Sequence, residues 1–131
     1  KGLAIDRLGI EIKKKQTLCV DLPMPYQAQS GELVGEVIHV DRFGNLITNI
    51  DYLFIRKTFD SVNDRDLEII IGGHQISGLS DCYQDAESQS LLAITGSMGF
   101  LEISINCGNA SEFCGAARGS IISINICQKK T

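Results

Sequence analysis

Apolar residues recur at alternate positions along most of this chain, in short runs broken by glycine and polar clusters. In residues 33–40, Leu33 and Val37 share one parity while Val34, Ile38 and Val40 share the other. That run reads as a strand covered, at least in part, on both sides. Asp41, Arg42, Phe43, Gly44 and Asn45 interrupt it, and Gly44 admits backbone angles closed to other residues. A second strand follows at once, with Asn45, Ile47 and Asn49 on one face and Leu46, Thr48 and Ile50 on the other. Asp51 then suits the cap of a short helix through Leu53, Phe54, Arg56 and Lys57, its acid and bases placed to match the helix dipole.

Residues 61–66 read as loop and 67–71 as strand. Gly72-Gly73 signals a hairpin, with 74–79 pairing back and His74 an ordinary strand residue. A polar loop over 80–90 holds Tyr83, and 91–95 is a buried strand. The turn over 96–99 leads into 100–106, where Leu101, Ile103 and Ile105 oppose Phe100, Glu102, Ser104 and Asn106. Asn109 suits the cap of a helix reaching about Cys114, with Gly115 or Gly119 ending it. Residues 120–127 form the last strand, with Ile122, Ile124 and Ile126 expected inward. Upstream, 9–20 reads as a linker into a strand, Pro23 and Pro25 keep 21–25 irregular, and 27–31 is polar loop. Mostly strand with glycine turns, the chain predicts a mainly β fold: a single antiparallel, partly open Greek-key β-barrel with one or two short helices.

Its 131 residues suit one domain with a sizeable core. Hydrophobic residues at 44% and charged residues at 21% are those of a soluble globular protein, and no apolar run reaches membrane-spanning length. Lys1 in place of a starting Met suggests a piece of something longer. The net charge of −4 argues against nucleic acid, since the basic clusters, Lys13-Lys14-Lys15 and Lys129-Lys130, lie near the chain ends. An oligonucleotide-binding barrel would also want more than 6% aromatic residues. Cys19, Cys82, Cys107, Cys114 and Cys127 show no CxxC spacing, and His39 and His74 stand apart, so a metal site is not expected. Buried reduced thiols in a cytoplasmic protein are the default for such a set.

The polar residues at turns are Asp41, Asn45, Tyr83, Ser97 and Asn106, joined by Phe43. They contain no nucleophile paired with a base. They suit a flat polar ligand instead: an amide can read a purine edge, an aromatic ring can stack on its face, and an acid can hold an ammonium. Ordinary loop roles for each residue are the bland reading, and a non-catalytic β-barrel for interaction or oligomerisation is the alternative function.

Taken together, GEVIHVDRFGNLITNI over 35–50, Asp81-Cys82-Tyr83, and GSMGFLEISINCGNAS over 96–111 resemble the C-terminal domain of the S-adenosylmethionine hydroxide adenosyltransferases. These hydrolases are related to the S-adenosylmethionine-dependent fluorinase and chlorinase. The resemblance runs from about Leu8 to the end. It implies that 1–7 are the remnant of a preceding domain or linker, and that 8–131 are a β-barrel-like S-adenosylmethionine-binding domain. It implies a trimer whose active site lies between the N-terminal α/β domain of one subunit and the C-terminal domain of its neighbour. Hydroxide attacks C5′ of the ribose there, giving adenosine and L-methionine, with S-adenosylmethionine as substrate and no cofactor.

By this resemblance Asp41 holds the methionine ammonium, Phe43 lines the site, Asn45 bonds adenine and Tyr83 stacks on it. Ile47 stands where the fluorinase has an aromatic beside the adenine. Ser97 is placed near the methionine carboxylate. Met98 departs from the pattern, since the fluorinase has arginine there. Asn106 and Cys107 contribute backbone at the adenine edge. The residues that position hydroxide belong to the N-terminal domain, so no catalytic residue is expected in this chain.

Overall fold

The computed structural model describes residues 9–10, 21–83 and 87–127. The linker reading of 9–20, the lysine clusters, Cys19 and the remnant at 1–7 therefore lie wholly or mostly outside the described residues. Strand β1 is Tyr26–Gln27, of which Gln27 falls in the expected polar loop, and it pairs with β2, Leu33–Val40. Strand β3, Leu46–Asp51, runs into helix α1, Tyr52–Thr58. As the sequence suggests, the Asp51 carboxylate accepts from the Phe54 N–H at 2.7 Å, and Arg56 and Lys57 sit in the last turn. The expected loop at 61–66 contains a 3₁₀ turn, Asp64–Asp66, which precedes β4, Leu67–Ile71. Strand β5, His74–Ser77, ends two residues early because Gly78 turns at φ 74°.

Strand β6 is Leu91–Thr95, β7 is Phe100–Ile105, helix α2 is Ala110–Cys114 and β8 is Ile121–Ile126. Asn109 caps α2 by accepting from the Glu112 N–H at 3.0 Å, and Gly115 ends it at φ 59°. The strands are antiparallel neighbours in the order β5-β4-β8-β2-β3-β7-β6, with β1 beside β2. This is the expected partly open barrel. Between its two ends, β5 and β6, the described residues form only the isolated bridge Ser80–Ile94, which leaves one unsealed seam.

The barrel is filled by one parity of each strand. Leu33 and Val37 from β2, Leu46 and Ile50 from β3, Ile69 and Ile71 from β4, Leu101 and Ile103 from β7, and Ile122 and Ile124 from β8 are all buried. Each such side chain contributes about 1.5–3 kcal/mol relative to exposure. Thr48 shares that face, and its hydroxyl donates to the Leu101 carbonyl at 2.9 Å, which removes the penalty of burying it. Asn49, Leu92, Ile94 and Ser104 are buried on the opposite parity, and Val40 and Ile126 depart from their expected faces. A register shift between Val37 and His39 turns Val40 back onto the core, away from the face it was expected to share with Val34. Ile126, expected inward, is half exposed at the end of β8.

Asn49 lies on the parity of Asn45 and Ile47, yet its amide serves the fold. Its Oδ1 accepts from the Glu36 N–H at 2.9 Å and its Nδ2 donates to the Pro23 carbonyl at 2.6 Å, tying the proline segment to the sheet. Gly35 makes room for this amide, since a Cβ there would lie 2.5 Å from Asn49 Oδ1. Not all the thiols are buried as expected. Cys82 and Cys107 are exposed, Cys127 is half-buried, and Cys114 is buried.

Candidate functional site

The turn between β2 and β3 is built around one carboxylate. Asp41 Oδ1 accepts from the N–H groups of Phe43 and Asn45 at 2.8 and 3.0 Å, and its Oδ2 accepts from Asn45 Nδ2 at 2.9 Å. An Asp at this place competes with the backbone for local donors, and here it wins them. Burial pushes the carboxyl of Asp41 up, but the bonds from Asn45, Phe43 and Gly44 outweigh it and hold it below its ordinary range. The same contact fixes the Asn45 amide. Only its nitrogen end can face a carboxylate, so its carbonyl oxygen and second N–H are left to meet a ligand. Phe43 projects from the tip, more than half exposed, with the Arg42 guanidinium 4.8 Å from its ring centre.

The segment after β7 packs directly on this turn. The Ser111 N–H donates to the Gly44 carbonyl at 2.9 Å. Gly44 is buried at φ 84°, and a Cβ there would collide with the Asn109 amide. Close approach and left-handed geometry both require glycine. Cys107 also adopts a positive φ, 60°, which turns the chain from β7 toward α2. Gln89 braces this bend, donating its N–H to the Asn106 carbonyl at 3.1 Å and its side-chain amide to the Cys107 carbonyl at 2.9 Å.

The two segments enclose an open cleft of about 600 Å³, lined by Phe43, Asn45, Tyr83 and residues 105–109. Five sequence-expected residues, Phe43, Asn45, Tyr83, Asn106 and Cys107, thus meet in one place. Asp41, half-buried, holds the Asn45 amide and is not part of the lining. Ile47 stands on the outward face opposite Glu102 of β7. Ser97 and Met98 are exposed on the turn between β6 and β7, outside the cleft; Met98 is 81% exposed. That turn lies toward the far end of β3, where the Gly99 carbonyl accepts from the Tyr52 N–H at 2.9 Å.

Glu102 stands between the two places and is not among the residues the sequence singles out. Its carboxylate accepts from the Tyr83 hydroxyl at 2.8 Å and the Ser104 hydroxyl at 3.3 Å. Burial, then the bond to Glu102 and its charge, push the Tyr83 hydroxyl above its ordinary pKa. The signal is present in the sequence: alternation sets Glu102 outward beside Ser104 and Asn106. Asn109, expected only as a cap, also lines the cleft.

The cleft offers aromatic faces from Phe43 and Tyr83 and an oriented amide, in a lining completed by Ile105, Asn106 and Asn109. It has what is needed to hold a flat heterocycle and lacks a nucleophile with its base. Among the described residues, no group of three or more His, Cys, Asp or Glu is placed to hold a metal ion. No helix among them is long and apolar enough to cross a membrane.

Comparison with known proteins agrees with the motif pattern. Residues 35–123 match the model of a family described as the SAM hydroxide adenosyltransferase C-terminal domain. No curated protein matches. Among solved structures, an uncharacterized conserved protein from Thermotoga maritima is similar at 28% identity and a TM-score of 0.68. That similarity covers 97% of this chain and 46% of the other. A conserved hypothetical protein from Thermus thermophilus is similar at 26% identity and a TM-score of 0.53, over 70% of this chain and 32% of the other. The chain therefore spans less than half the length of either.

Proposed function

Because this chain belongs to the SAM hydroxide adenosyltransferase family, through that family's C-terminal domain, we propose that it is the substrate-binding half of an S-adenosylmethionine hydrolase. The observation that carries this reading is the convergence of Phe43, Asn45, Tyr83, Asn106 and Cys107 on one cleft. Tyr83 and Phe43 stack against adenine. The free end of the Asn45 amide bonds its edge, with backbone near Asn106 and Cys107 completing the contact. Asp41 orients Asn45 and lends its negative charge to the methionine ammonium. Ser97 and the neighbouring Met98 lie along the methionine side, where only an apolar contact replaces a cationic grip.

In the reaction, hydroxide forms a bond to C5′ of the ribose while the C5′–sulfur bond breaks. The bonding pair goes to sulfur and neutralises the sulfonium, giving adenosine and L-methionine. A sulfonium is already an activated leaving group, so alignment is the main requirement. No residue of the cleft is arranged to activate hydroxide. We assign that task to an N-terminal α/β domain of a neighbouring subunit, in a cytoplasmic homotrimer. An apolar groove of about 420 Å³, lined by Leu22, Met24, Leu53, Phe54 and Phe100 among others, lies beside the Ser97 turn and supports a covered surface there. S-adenosylmethionine is substrate in this scheme and no cofactor is invoked.

Product analysis of the full-length protein tests the proposal. Adenosine and methionine should form from S-adenosylmethionine, and the assay with and without chloride shows whether halide competes with hydroxide. Failure to bind adenosine or to consume S-adenosylmethionine would reject it in favour of a non-catalytic interaction module.

A further inference from the structure

Glu102 is a carboxylate that the nucleoside reading leaves without a task. It sits on β7, which is paired on both sides: Glu102 lies opposite Ile47 of β3 and Ile94 of β6. Its backbone is therefore among the most firmly held in the sheet. Tyr83, by contrast, follows a connection from β5 and is 45% exposed. Its hydroxyl donates to Glu102 at 2.8 Å, with the Ser104 hydroxyl as a second, weaker partner. The bond has a charged acceptor, which makes it stronger than a neutral one. Ser104, fully buried, donates to the same Glu102 oxygen at 3.3 Å and fixes that oxygen in turn.

The other carboxylate oxygen has a different neighbour. A Cβ on Gly96 would lie 2.8 Å from Glu102 Oε2. Gly96 is not in the left-handed region, so its backbone does not demand glycine. The space that its missing side chain leaves is the space that the Glu102 carboxylate uses.

From this geometry we propose that Glu102 is a positioning residue: it holds the Tyr83 ring as a fixed stacking platform, and Gly96 keeps the room in which it does so. The proposal rests on the cleft being a nucleoside site. A ring already fixed loses less rotamer freedom when a base stacks on it, which is worth about three- to tenfold in affinity. Glu102 touches no ligand in this scheme and acts only through the Tyr83 hydroxyl.

The test is adenosine titrated into the full-length protein and followed by calorimetry. Glu102→Ala and Tyr83→Phe should each weaken binding by about three- to tenfold, and the double variant should be no weaker than either alone. Glu102→Gln keeps a carbonyl acceptor and should restore most of the affinity. Gly96→Ala, which lies outside the cleft, should weaken binding when Tyr83 is present and have no effect in Tyr83→Phe. A merely structural role for Glu102 would lower the melting temperature and act equally in both backgrounds. Additive losses in the double variant, or unchanged affinity in Glu102→Ala while Tyr83→Ala loses binding, would overturn the inference and leave the site standing. Absence of adenosine binding in the unsubstituted protein would overturn the site and the inference with it.

Discussion

Gly44→Ala is the sharpest test of how the two halves of the cleft are joined. Gly44 is held at φ 84°, a region where an L-residue costs about 1–2 kcal/mol. The added methyl would also collide with the Asn109 amide. That amide must then swing away and give up its bond to the Glu112 N–H, a loss of about 1 kcal/mol for a helix cap. The expected total is about 2–3 kcal/mol. Asn109→Ala alone should cost only the cap. With Asn109 already removed, Gly44→Ala has nothing to displace, and its cost should fall to about 1–2 kcal/mol. Urea unfolding followed by far-ultraviolet circular dichroism on the four proteins gives the coupling directly. Equal cost of Gly44→Ala in both backgrounds would show that the turn and the α2 cap are independent, and the account of why these segments occur together would be wrong.

Three further outcomes are expected. Asn45→Ala should weaken adenosine binding by about 1–3 kcal/mol, because ligand donors and acceptors lose their partner; unchanged affinity by calorimetry removes Asn45 from the site. Asp41 titrates below its ordinary 3.8 when folded, so the stability it contributes is complete above that value and is lost as pH falls through the lower folded one. The stability gap between the unsubstituted chain and Asp41→Asn should hold at neutral pH and close in acid; a gap constant into strong acid contradicts this. Iodoacetamide should label the exposed Cys82 and Cys107 in the native chain and spare Cys114, whose thiol is pushed up by burial. Equal labelling rates, read by peptide mass, would refute the packing of α2.

Most strands were legible because alternation survives wherever one face is buried. Residues 100–106 are the clearest case, with Leu101, Ile103 and Ile105 inward as read. Caps at Asp51 and Asn109 were legible because a short polar side chain before a helix has few other roles. Val40 was misplaced since a one-residue register shift leaves no mark on composition. Ile126 was misplaced because alternation continues past the point where the core ends. The meeting of Asn45 with Tyr83 and Asn106 was beyond local reasoning. It depends on β7 lying beside β3, a long-range pairing that periodicity does not encode. Only the family pattern pointed there. Glu102 was overlooked for the opposite reason: an acid on a solvent-facing parity looks ordinary until the side chain it bonds is known.

The unsealed seam gives the barrel a weak line along its wall. Amide protons on β5 and β6 should exchange with solvent before those of β8 and β2, which have a neighbour on each flank. Tyr83 follows β5 in the chain, and its hydroxyl is pinned to β7. A base seated on that ring would press Tyr83 against β7 and slow the breathing of the nearby edge, so occupancy of the cleft becomes readable as a tightening of the hoop some distance from the ligand.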